Sequence, residues 1–219
     1  MPSLQRMTLR QIVPLIFLPA GVGLLFQITL SSSAAQTILA IALTIFCPEL
    51  ARMAWIDLKN IEVLTASASP ALEKQVMQTA ATQQEKPTSS TNSFLQAQQI
   101  KQFHTVIVST IALEATGFYL SLYSLPAGAI VIILSQLWFN SLASVQLYPG
   151  RSLPVVRCSA KDRKAVLILN ALTAGLLCFW PVTSAQLGLS IALLVLVALY
   201  LAVKYLLLQP EETKANRCE

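Results

Sequence analysis

The sequence predicts an all-α integral membrane protein, a six-transmembrane-helix bundle built as three helical hairpins with the N- and C-termini cytoplasmic. Three observations predict it. First, only 11% of the 219 residues are charged and 55% are hydrophobic, with a mean hydropathy of +0.63, whereas a soluble domain is about 25% charged. Second, apolar stretches of near-bilayer length recur along the chain. Third, the basic residues cluster in alternate connections. This composition excludes a soluble enzyme, a disordered tail protein and a nucleic-acid binder.

A bilayer core about 30 Å thick takes roughly 20 apolar residues at about 1.5 Å each. Six stretches approach or reach that length: 12–30, 34–48, 103–123, 126–148, 165–181 and 185–208. They divide the chain into a first transmembrane hairpin with an amphipathic extension (1–64), a flexible polar cytoplasmic linker (65–92) and a second hairpin (93–148). A basic cytoplasmic loop (149–164), a third hairpin (165–208) and a cytoplasmic tail (209–219) follow.

The first span is preceded by Arg6 and Arg10 and followed by Ser32-Ser33-Ala34, which gives it the look of a signal peptide. Its apolar run is long for a signal h-region, so a retained helix is expected. Pro14 and Pro19 should bend it, and Ala20, Gly21 and Gly23 would admit a close neighbour. The second span is interrupted by Pro48 and Glu49 and continues as an amphipathic helix toward Leu64, carrying Arg52, Trp55, Asp57 and Lys59 into the interface.

Gln78 to Asn92 is rich in Thr, Ser, Gln and Ala, too polar to bury a core. A short surface helix over 71–78 is a second expectation in this region. Ser93 with Gln96 has the form of a capping box, so the third helix is expected to start well before the bilayer.

The connections at 31–33, 124–125 and 182–184 carry no charge, while the N-terminus, 49–102, 149–164 and the tail hold 14 of the 15 Lys and Arg. The last, Lys204, can snorkel to the same face. The positive-inside rule makes that face cytoplasmic. No similarity relates the three hairpins, so an inverted-repeat transporter fold is not supported.

Glu114 is the only acid inside the six apolar stretches, where an ionisable group costs several kcal/mol unless paired, hydrated or protonated. Counted from the turn after the third span, it lies level with Ser135 and Gln136. Gln136, Asn140 and Ser144 form a stripe at i, i+4 and i+8 on the fourth span, and Thr110, Glu114, Gly117 and Ser121 form a matching face on the third. The plain reading is glue between helices, each bond contributing about 0.6–2 kcal/mol. The functional readings are a substrate, ion or proton site, or a contact with a partner helix, a pigment or a lipid headgroup.

Asn170 and Thr173 read as packing glue, and His104 as a hydrated residue at the boundary of the third span. The loop 149–164 sets five bases, Arg151, Arg157, Lys161, Arg163 and Lys164, against one acid. Topology determination explains it, and lipid or partner docking is the functional alternative. Trp138, Trp180, Tyr119, Tyr123 and Tyr148 sit toward span ends as interface anchors do.

Cys47, Cys158, Cys178 and Cys218 are scattered, neither a disulfide framework nor a zinc site. No phosphate-binding loop, metalloprotease or nucleophile-elbow motif is present. The sequence therefore offers no catalytic residue, no metal site and no cofactor. The expected protein is a non-enzymatic accessory, assembly or scaffold subunit of a larger membrane complex, contacting membrane lipid and other membrane protein subunits. The alternative is a small transporter or substrate-binding subunit centred on Glu114. A bacterial inner membrane is the expected location. The runs Gln136-Leu137-Trp138-Phe139-Asn140 and Gln146-Leu147-Tyr148-Pro149 resemble stretches of cyanobacterial membrane proteins, which makes a thylakoid membrane the alternative and implies no function.

Overall fold

The structure, a computed structural model, describes residues 9–81, 88–148, 155–157 and 163–202, with the backbone alone at 67–81, 88–97 and 157. Six helices and one short hairpin run in the order α1 (Leu9–Leu30), α2 (Ala34–Ala81), α3 (Thr88–Ser121), α4 (Leu125–Leu142), β1 (Val145–Leu147), β2 (Val155–Arg157), α5 (Lys164–Phe179) and α6 (Gln186–Ala202). Four stretches among the described residues are long and apolar enough to cross a membrane: Leu9–Leu30, Ala34–Ala66, Gln98–Ser121 and Leu125–Leu142. The last two helices are apolar but shorter, at 16 and 17 residues.

α1 buries Val13, Phe17, Ala20 and Leu24, one stripe at helical spacing, against α2. The close approach reflects small residues. A methyl group built on Gly21 would make only ordinary contact with Cys47 Sγ of α2 at 3.7 Å, whereas one on Gly23 would press on the Leu122 side chain, just past α3, at 2.7 Å. α1 and α3 run the same way, tied by a Phe17–Phe118 edge contact at 5.7 Å and by Gln27 Nε2 donating to Leu122 O at 2.6 Å.

α2 continues through Pro48 toward Leu64 as expected, but its apolar portion runs 33 residues rather than ending at the proline, and the helix goes on to Ala81. An interior proline costs about 3 kcal/mol in an isolated helix. Packing overrides that cost here, since Leu43, Phe46, Cys47 and Leu50 around the proline are all buried. The stretch expected as a linker is helical over 65–81 and 88–92, while 82–87 lies outside the described residues. α3 correspondingly starts at Thr88 rather than at Ser93.

α3 and α4 pack antiparallel at very short range around Gly117 and Gly128. A Cβ on Gly117 would meet Ile132 at 2.6 Å and the backbone oxygen of Gly128 at 3.0 Å. At its far end the fourth helix departs from expectation. It stops at Leu142 instead of running to residue 148, because the chain turns extended at Ala143 (φ −69°, ψ 95°) and enters β1. β1 pairs antiparallel with β2, Val145 opposite Arg157 and Leu147 opposite Val155. Val145 and Leu147 are buried while Gln146 is exposed, the two-residue alternation of a strand. Pro149 also holds the preceding Tyr148 away from helical geometry.

α5 packs along α4 and α6 along α2, while α5 and α6 touch each other only lightly. α6 runs parallel to α2: Ser190 Oγ donates to Ala35 O at 2.8 Å near one end, and Tyr200 meets Phe46 edge-on at 5.8 Å toward the other. Between α5 and α6 lies an open apolar groove of about 550 Å³, floored by Ala171, Gly175 and Ala192 and walled by Phe179, Val195 and Leu196.

Candidate functional site

The polar residues of the second hairpin converge only in part. Glu114 on α3 and Gln136 on α4 are 3% and 6% exposed, and Gln136 Nε2 donates to Glu114 Oε1 at 2.6 Å. The short reach follows from the glycine contact one turn away: with Gly117 against Ile132 and Gly128, the two backbones come close enough for a side-chain amide to meet a carboxyl directly. Ser121 and Ser135 are fully buried and turn back onto their own helices, donating to Gly117 O at 2.9 Å and Ile132 O at 2.7 Å.

The remaining members of the expected cluster behave differently. Thr110 is buried, but its hydroxyl donates to Val106 O of its own helix at 2.7 Å. Asn140 Nδ2 donates to Gln136 O at 2.8 Å, again within one helix. Ser144 does not belong to the stripe. It lies beyond the end of α4, exposed, in the extended segment leading to β1. A stripe read at helical spacing fails once the helix has ended.

Sequence reasoning missed a second buried acid. Glu49 is 6% exposed within the apolar portion of α2, and Arg52 clasps it with two bonds of 3.1 Å, from Nε to Oε2 and from Nη2 to Oε1. Ending the apolar span at Pro48 placed Glu49 in an interfacial amphipathic extension and hid it. Arg52 at i+3 was the available signal. A link between Trp138 Nε1 and Ser109 Oγ at 3.0 Å, α4 to α3, was likewise not foreseen.

Elsewhere, Asn170 and Thr173 are buried on α5 and His104 is half-buried. Of the basic-loop residues, Arg157 ends β2, Arg163 is the N-cap of α5 and Lys164 its first residue, while Arg151 and Lys161 lie outside the described residues, as do Lys204 and the tail. Arg10 pairs with Glu62 at 3.5 Å and stacks over Trp55 at 4.9 Å, fastening the start of α1 to α2. Among the described residues, no three of His, Cys, Asp and Glu converge as a metal site would require.

Two cavities flank the bundle without touching Glu114 or Gln136. One is the groove between α5 and α6. The other, of about 300 Å³, lies at the end where the α1–α2 and α3–α4 turns meet, lined by Gln27, Gln36, Ser121 and Ser124 among others. Chemically, the Glu114–Gln136 arrangement is a buried hydrogen bond between two helices. No known protein family, curated protein or solved structure matches the chain. What fold and composition define is a class, a helical membrane protein with four helices among the described residues long and apolar enough to span a bilayer.

Proposed function

We propose that the protein is a non-enzymatic accessory, assembly or scaffold subunit of a larger membrane complex, with other membrane protein subunits as its partners. The observation that carries this reading is the direct bond between two buried polar side chains of α3 and α4. Glu114 and Gln136 are bonded to each other, both nearly solvent-free, and neither cavity reaches them. A transport or substrate site needs an access route, and such sites are typically built where helices break. α3 and α4 run unbroken past this pair.

In this reading all six helices cross the membrane as three hairpins with both termini cytoplasmic. The up-down order of the helices and the one-sided distribution of Lys and Arg support it. At 16 residues α5 is short for a bilayer, a mismatch of a few Å that local thinning accommodates at modest cost; α6 is described only to Ala202. The membrane is of the bacterial inner type, with a thylakoid membrane as the alternative.

The test is purification in mild detergent with mass spectrometry of everything that co-migrates, run on the wild type and on Glu114→Gln. A stoichiometric partner retained by both is the expected result. A protein that runs alone, carrying a small molecule that the Gln variant loses, would make Glu114 the centre of a binding site and overturn the scaffold reading.

A further inference from the structure

α1 packs on α2 and α3, keeps one face bare, and holds two prolines in its interior. A proline carries no N–H, so the carbonyl four residues before it loses its helical partner. Pro19 removes the partner of Leu15 O in this way, inside the apolar stretch 12–30. Hydrocarbon offers no water as a replacement, and in membrane helices the side chains of neighbouring helices re-satisfy such freed carbonyls. The next two carbonyls show that repair at work. Tyr119 of α3 donates its hydroxyl to Ile16 O at 3.3 Å, and Cys47 of α2 donates its thiol to Phe17 O at 3.6 Å.

Successive positions on a helix point in different directions, and Leu15 turns away from both neighbours. It is 58% exposed, on a face shared with Leu18 and Val22, and among the described residues no side chain donates to its carbonyl. Of three carbonyls beside one proline, two meet donors from this chain and the third opens toward the apolar surroundings. Its partial negative charge there is complementary to an N–H or O–H brought by another helix. We propose that this face of α1 docks a transmembrane helix of another membrane subunit, which sets a hydroxyl, amide or indole donor against Leu15 O. Leu18 and Val22, one and two turns on, supply the apolar contact, and the single bond fixes the register. The inference rests on the accessory-subunit reading and adds to it the surface and the chemistry of the partner.

The test uses the full chain purified with its stoichiometric partner in mild detergent. A benzophenone amino acid at position 18 is expected to crosslink, on irradiation, to a transmembrane helix of that partner within one turn of a Ser, Thr, Asn, Gln or Trp. The same probe at position 187, exposed on α6, is expected not to reach it. Pro19→Ala restores the N–H that bonds Leu15 O and should lower partner retention about threefold, the equivalent of about 0.6 kcal/mol for one bond between membrane helices. Pro14→Ala relaxes the same helix but acts on Arg10 O at its charged end, and should leave retention unchanged. Should Pro19→Ala fail to fold, Leu18→Trp, at an exposed position, carries the test by crowding the face, and should also lower retention. Full retention in the folded Pro19→Ala or Leu18→Trp variants, an equal loss in Pro14→Ala, or crosslinking from position 187 but not from 18 would overturn the docking surface and leave the accessory-subunit reading standing. Crosslinking from position 18 to a second copy of this chain, or to lipid alone, would overturn the partner. A chain that purifies alone would overturn both readings together.

Discussion

The two ends of the chain solve the problem of packing helices in lipid in opposite ways. Among α1 to α4, backbones approach until small residues are the only ones that fit, and the close approach lets polar side chains bond across helices. Gly128 has Ser121 and the Gly117 carbonyl against it, and Gln136 reaches Glu114 one turn away. α5 and α6 carry glycines too, but Gly175 and Gly188 face open space. Those two helices lean outward on α4 and α2 and leave a groove between them. A glycine in a membrane helix therefore says that close packing is permitted, not that it happens. Without a hydrophobic force between helices in lipid, van der Waals contact and polar bonds decide.

This contrast is open to breaking at graded cost. The largest effect is expected from Gly128→Ala, whose new methyl collides with backbone that has no room to move. It should destabilise the protein by about 1–3 kcal/mol, the usual range for overpacking, read as a lower midpoint of thermal unfolding in micelles. Gly117→Ala, blocked by Ile132 and by the Gly128 carbonyl, should act similarly. Next comes Glu114→Leu, which strands the buried Gln136 amide at about 1–3 kcal/mol. Glu114→Gln keeps a hydrogen-bonding partner there and should cost clearly less in the same assay.

Ser190→Ala removes the bond from α6 to Ala35 O. It should cost about 0.6 kcal/mol, the average for such bonds between membrane helices. Faster proteolysis near α6 would report its loosening. The smallest effect belongs to Gly175→Ala. With nothing near that position, the change should stay within about 0.5 kcal/mol. A large loss there would mean that the groove is closed in the membrane and that the two regions do not differ.

Much of this arrangement is legible in the sequence, for physical reasons that also mark where legibility ends. Uncharged turns at 31–33 and 124–125 flanked by long apolar runs give α1, the end of α3 and the start of α4 directly. The Glu114–Gln136 contact follows from counting residues out from a tight turn, because two antiparallel helices joined by a short turn have a fixed register. What fails is whatever depends on partners remote in sequence. Pro48 and Glu49 look like the end of the apolar span until their buried surroundings in α2 are known. Val145 to Leu147 reads as helix because three apolar-rich residues fit either period, and only pairing with Val155 to Arg157 makes them a strand. The outward lean of α5 and α6 is written in no local pattern, since their composition matches that of helices that do pack.

The central claim is that Glu114 is a dry clamp between helices rather than a site reached from water. The most direct measurement is labelling of Glu114→Cys by a membrane-impermeant maleimide, in a chain whose four native cysteines are alanine. Tyr123→Cys, at a turn position that is 92% exposed, serves as the accessible reference. The account predicts that position 123 labels in the native protein, while position 114 labels only after denaturation in SDS. Native labelling at 114 at a rate near that of 123 would show an open aqueous route to the middle of the bundle and contradict the account.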